Sequence, residues 1–176
     1  MRVVAGEARG RLIEAPEGNR TRPTSDRVRE SIFNMLFSLN ATGEVKVLDL
    51  YAGCGALGIE ALSRGAERCT FVEQDRRAVE CIRSNLDALG FGDRATVIQA
   101  DVLPWVEKNS ESFDVVLADP PYADDSWTEI LDDLDARWLV AEAASSVEQH
   151  PRWDVVREKT YGTTVVTVFA RQGSAS

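Results

Sequence analysis

One histidine, His150, and three cysteines, Cys54, Cys69 and Cys81, are the only imidazole and thiol side chains in this chain of 176 residues. The cysteines are odd in number and form no CxxC pair, and one imidazole cannot complete a zinc site with them. Neither a metal centre nor a disulfide framework is expected. Cys54 reads as a small residue tolerated by tight packing, and His150, followed by Pro151, as a surface residue. No apolar stretch approaches the ~20 residues of a membrane-crossing helix. Met1-Arg2-Val3-Val4 leads into a strand-like pattern rather than a signal peptide. These absences predict a soluble, cytoplasmic protein without membrane or metal partners. Internal repeats are also missing.

A chain of this length with 44% hydrophobic residues can bury one good core and not two. Its net charge of −9 argues at first against a polyanionic partner, but the charge is unevenly spread. Residues 1–29 hold seven arginines, no lysine and four acids, a local +3, so the rest carries −12. A basic arm on an acidic body fits this asymmetry, and so does a solvated surface hairpin.

The pattern predicts a hairpin of two short strands, 2–5 and 11–14, joined by Gly6-Glu7-Ala8-Arg9-Gly10. Thr21-Arg22-Pro23-Thr24-Ser25 then signals a helix start. The helix runs to about residue 40, with Val28, Ile32, Met35, Leu36 and Leu39 on one face. From residue 45 strands and helices alternate, which predicts a mostly parallel sheet covered on both faces. Strands are expected at 45–50, 69–73, 95–99 and 113–118, and helices near 56–64, 76–89, 102–108 and 126–134. A further strand is placed at 143–148, although Ala-Ala-Ser-Ser is a poor strand former. Segments 153–159 and 163–170 form a C-terminal antiparallel hairpin. The predicted organisation is a hairpin arm at 1–24, an α/β domain at 25–172 and a disordered tail at 173–176.

Proline is scarce, with six in all, yet two stand side by side in Asp119-Pro120-Pro121-Tyr122. The tetrapeptide follows the apolar run 113–118, at the strand end where open α/β sheets bind ligands. Successive prolines stiffen the loop and remove two N–H donors, leaving rigid acceptors beside an aromatic ring. Such a site suits a planar molecule with an exocyclic amine. The first strand ends in Asp49-Leu50-Tyr51-Ala52-Gly53-Cys54-Gly55-Ala56-Leu57-Gly58, whose glycines satisfy GxGxxG, and Glu73 follows at the spacing of a ribose-binding acid. A dinucleotide site is one reading. Asp49 opposes it, since a carboxylate there repels a pyrophosphate and suits a cationic ligand such as S-adenosylmethionine. Glu73 then accepts the ribose hydroxyls, while Asp101 and the Val102 N–H meet the adenine.

The stretches Arg2-Val3-Val4-Ala5-Gly6-Glu7-Ala8-Arg9-Gly10-Arg11-Leu12 and Thr21-Arg22-Pro23-Thr24-Ser25-Asp26-Arg27-Val28-Arg29-Glu30, together with the glycine loop and the Asp-Pro-Pro-Tyr tetrapeptide, resemble the RsmD family of small-subunit ribosomal RNA guanine-N2 methyltransferases. The resemblance implies a Rossmann-like class I methyltransferase fold, S-adenosylmethionine as methyl donor, S-adenosylhomocysteine as product, and 16S rRNA or the assembling small subunit as partner of a monomeric enzyme. It implies Asp119, Pro120, Pro121 and Tyr122 at the reacting amine. Asp49, Tyr51, Ala52, Gly53, Gly55, Glu73, Gln74, Asp101 and Val102 would hold the cofactor, and Arg9, Arg11, Arg22, Arg27 and Arg29 the RNA backbone. Cys54 stands where the family pattern leads one to expect serine. The tetrapeptide alone does not separate guanine from adenine, so an adenine-N6 DNA methyltransferase and a non-catalytic RNA-binding assembly factor both stay open.

Overall fold

Five strands run parallel: β1 Lys46–Leu50, β2 Arg68–Glu73, β3 Ala95–Gln99, β4 Phe113–Ala118 and β5 Ala136–Ala143. The helices are α1 Asp26–Ser38, ahead of the sheet, then α2 Ala56–Ser63, α3 Arg76–Leu89, α4 Val102–Lys108 and α5 Trp127–Asp133 between the strands. β6 Trp153–Tyr161 and β7 Thr164–Arg171 return as an antiparallel hairpin, giving the order β3-β2-β1-β4-β5-β7-β6. This computed structural model describes residues 1–16, 25–121 and 127–173.

Alternation along the strands builds the core on both faces of the sheet. Val47, Val115 and Leu117 join one cluster with α1, α2 and α3, while Leu48, Leu50, Val116 and Ala118 join another with α4 and α5. Local chemistry sets the helix ends. Ser25 caps α1 by accepting the Val28 N–H, Asp75 caps α3 through the Ala78 N–H, and Gly90 at φ 77° closes α3. Because β1 is flanked by β2 and β4, the strand order reverses beside it, and the crevice opens at the carboxyl ends of β1 and β4.

Two sequence expectations are corrected. The fifth strand is β5 Ala136–Ala143, not 143–148; it pairs with β4 from Phe113↔Ala136 to Ala118↔Ala141. The run Trp138-Leu139-Val140-Ala141 supplies the bulk that a buried strand needs, whereas Ala144 to Gln149 stay outside any strand. The N-terminal strands shorten to a single bridge, Arg2↔Leu12. The Val4 and Ala5 N–H groups donate to the Glu60 carboxylate at 2.8 and 3.0 Å, and the Glu7 N–H to the Ser63 carbonyl at 2.8 Å, instead of across the hairpin. Val3, Ala8 and Ile13 thus share the core of the body. Among the described residues, no helix is long and apolar enough to cross a membrane.

Candidate active site

Leu50 pairs with Val72 and with Ala118, so Tyr51, Glu73 and Asp119 leave the sheet at one edge. The loop after β1 is bent by left-handed residues: Tyr51 at φ 57°, Gly53 at φ 56° and Gly55 at φ 80°. For tyrosine that conformation is uncommon and is held only where the surroundings enforce it. Gly55 forms the N-terminal cap of α2 without any side-chain bond. Gly58 serves packing, since a Cβ there would lie 2.3 Å from Phe71 and 2.7 Å from the Cys69 sulfur.

Asp49 is buried beneath this loop, with Oδ2 accepting the Gly58 N–H at 2.8 Å. Burial pushes its carboxyl well above the usual carboxylate range; the charges of Asp119 and Glu73 add to the rise, and the Gly58 bond opposes it. A cation beside Asp49 would relieve that cost. A pyrophosphate would not, because one N–H of the first α2 turn is already committed to Asp49. Glu73 stitches the loop to the next helix, accepting the Gly53 N–H at 2.9 Å and the Asp75 N–H at 2.8 Å. Carboxylate oxygens have further lone pairs for a diol. Asp101 occupies the N-terminal cap of α4 without making a side-chain cap bond, so its exposed carboxylate is presented outward. Val102 and Ala52 are buried, and Gln74 is exposed beside Glu73. Three carboxylates, Asp49, Glu73 and Asp101, and left-handed glycines suit a ligand with an ammonium, a sulfonium, a diol and an amine. Among the described residues, no group of three metal-ligating side chains is gathered.

Asp119 is half-buried, Pro120 buried and Pro121 exposed. The two prolines line a cavity of about 760 Å³ whose other walls are α5, at Trp127 and Leu131, and the segment 143–151. Sequence reasoning spent residues 143–148 on a strand and so missed this wall. His150 is half-buried and not a freely exposed surface residue: its side chain is 8% exposed, with Nε2 3.1 Å from Asp132 Oδ1. Tyr122 lies outside the described residues.

Of the arginines assigned to RNA, Arg9, Arg11 and Arg27 are exposed, and Arg11 donates to the Ala88 carbonyl. Arg22 lies outside the described residues. Arg29 is corrected: it is 0% exposed, its guanidinium lying 2.8 Å from Asp26 and 3.4 Å from Glu60 and donating to the Arg2 carbonyl at 2.6 Å. A charge enclosed in that way cannot meet a phosphate.

The family model described as Conserved hypothetical protein 95 matches residues 1–170. Ribosomal RNA small subunit methyltransferase D of Escherichia coli (strain K12) is 33% identical over 98% of this chain and 90% of its own length. The chain belongs to the RsmD family. YlbH of Bacillus subtilis (strain 168) is 38% identical over 98% of this chain and its full length. The solved structure of yhhF from Escherichia coli superposes with a TM-score of 0.85 at 30% identity, covering 97% of each chain. The RsmD-family fold is thus a Rossmann-like methyltransferase fold, as the sequence resemblance implied.

Proposed function

We propose that this protein transfers a methyl group from S-adenosylmethionine to the exocyclic N2 amine of a guanine in 16S rRNA. One observation carries the reading: β1 is paired in register with β2 and β4, so the glycine loop over the buried Asp49 leaves the sheet side by side with Glu73 and Asp119. The groups suited to a cationic donor and the group suited to an amine therefore share one crevice. S-adenosylmethionine, when bound, supplies an electrophilic methyl on a sulfonium. Asp49 and the loop of Tyr51, Ala52, Gly53 and Gly55 would hold its amino-acid end, Glu73 and Gln74 its ribose, and Asp101 and Val102 its adenine.

Asp119 and the Pro120 carbonyl each accept one N–H of the target amine, turning its lone pair out of the ring plane; as the N–C bond forms the S–C bond breaks, a neutral thioether would leave, and the amine gives up one of its two protons to solvent. Tyr122 stacks on the base, a contact worth ~1–3 kcal/mol. Guanine carries two adjacent donors, N1–H and N2–H2, beside its O6 acceptor, whereas adenine sets its N6–H2 donor next to the N1 acceptor. Two carboxylates on the cavity wall, Glu148 and the His150-paired Asp132, support the guanine reading, and no lysine or arginine lines the cavity among the described residues. Arg9, Arg11, Arg22 and Arg27 contact phosphates and orient the RNA.

Labelled cofactor incubated with small-subunit rRNA, naked and assembled, tests this by nucleoside analysis, with N2-methylguanosine expected. N6-methyladenine in DNA, or cofactor binding without transfer to any RNA, would replace the reading with its rivals.

Two further results are expected. A carboxyl with a raised pKa keeps its proton above the usual range, and a cationic ligand favours its ionised form. S-adenosylhomocysteine, which retains the α-ammonium, should therefore bind more tightly as pH rises from ~4, the ordinary carboxylate value, and level off once Asp49 ionises unaided. Calorimetry across pH with Asp49→Asn as the control reads the slope; affinity falling over that range would remove Asp49 from the site. Neutralising Arg9 and Arg27 together should weaken RNA binding about equally for all sequences and lower the salt slope by ~1 for each lost phosphate contact. Filter binding at several salt concentrations measures it, and an unchanged slope returns the arm to solvent.

A further inference from the structure

Asn85 is 3% exposed on α3 and spends its amide on two segments that are far apart in sequence. Its Nδ2 donates to the Glu14 carbonyl at 3.0 Å and to the Cys54 carbonyl at 3.1 Å, while its Oδ1 accepts the Glu14 N–H at 2.9 Å. Cys81, one turn earlier on α3, adds a thiol bond to the Glu14 carbonyl at 3.2 Å. Both backbone groups of Glu14 are thereby fixed at the end of the N-terminal segment, just past Arg9 and Arg11. Cys54 lies between Gly53 and Gly55, the left-handed residues of the loop under which Asp49 is buried. One buried side chain thus ties the basic segment to the glycine loop.

We infer that Asn85 is a positioning residue through which the N-terminal segment steadies the glycine loop, so that occupancy of one favours occupancy of the other. This rests on the reading of the loop as the cofactor site and of the segment as the RNA-facing surface. The Nδ2 hydrogens meet the Glu14 and Cys54 carbonyls, with the Cys81 sulfur of the same helix as a longer contact at 3.6 Å, so both carbonyl bonds form only when both segments are in place. Ordering Glu14 therefore fixes the amide, and the fixed amide holds the Cys54 carbonyl. Thermodynamic linkage makes the effect reciprocal.

Amide exchange on the unmodified protein tests the tie directly. Saturating S-adenosylhomocysteine should slow exchange at Gly53 and Gly55 and, by about fivefold, at the Glu14 amide. Protection of the loop with no change at Glu14 overturns the inference. Absence of any S-adenosylhomocysteine binding overturns the cofactor reading instead. Asn85→Asp keeps size and the acceptor for the Glu14 N–H but sets an anion against two carbonyls. This variant should bind S-adenosylhomocysteine about tenfold more weakly and lose the cofactor-dependent protection at Glu14. A residue needed only for folding would lower the melting temperature and leave that protection intact, which also overturns the inference.

Discussion

Asp119→Ala should lower methyl transfer by ~10²–10³-fold, the loss that accompanies removal of one preorganised polar group at a reacting centre. The Pro120 carbonyl would remain, but one N–H of the amine would have no acceptor, and the nitrogen lone pair would relax into the ring. S-adenosylhomocysteine affinity should hold or rise, because the Asp119 charge adds to the burial that raises the Asp49 carboxyl above its usual range. Asp119→Asn is the sharper variant. It preserves shape, yet its amide must present either an oxygen or an NH2 to the amine, and the second choice sets donor against donor. Its activity should fall between wild type and alanine, with KM for RNA little changed, since base stacking and phosphate contacts are untouched. Single-turnover transfer with saturating cofactor measures both variants. Near-normal turnover in Asp119→Ala would sink the orienting role.

The parallel sheet was legible because its strands announce themselves. β1 and β4 are largely apolar with an aspartate beside their carboxyl ends, β2 closes on Glu73, and capping residues such as Asp75 and Gly90 mark α3 at its two ends. The glycine loop and the tetrapeptide were legible for the same reason, as departures from helix and strand chemistry at strand ends. Legibility failed where a residue's role depends on a partner distant in sequence. Arg29 reads as one more exposed arginine until Glu60 is placed beside it, and Asn85 as an ordinary helix residue until Glu14 and Cys54 converge on it. β5 was misplaced because only Leu134 and Asp135 separate it from α5, too few residues for a visible turn. One local signal could have found Glu60: it is the single charged residue in Ala56–Ser63, and every residue of that helix is buried. A carboxylate surrounded on all sides by apolar neighbours needs partners from elsewhere.

Those partners make Glu60→Ala the most damaging change expected for stability. The carboxylate accepts the N–H groups of Val4 and Ala5, receives Arg64 Nε at 2.8 Å and lies 3.4 Å from Arg29 Nε. Arg64 is held over the Phe33 ring at 4.9 Å, so the network joins the N-terminal segment, α1 and α2. Alanine would leave the fully buried Arg29 charge without its one buried counter-charge, keeping only the exposed Asp26, and two backbone N–H groups without acceptors. Breaking a buried pair in this way costs about 3–5 kcal/mol, a large share of the ~5–15 kcal/mol that holds a domain together. Urea unfolding should show that loss as a lower midpoint. Glu60→Gln should lose less, because its oxygen still serves one N–H, but its NH2 must face another donor. Adding Arg29→Met to Glu60→Ala should recover part of the stability, since the orphaned charge disappears with it. The recovery separates electrostatics from packing: if the double variant is no more stable than the sum of the single losses predicts, Glu60 acts by anchoring the Val4 and Ala5 backbone and not by neutralising Arg29. A midpoint near wild type in Glu60→Ala would show that α2 and the N-terminal segment are held by Val3, Ala8 and Ile13 alone.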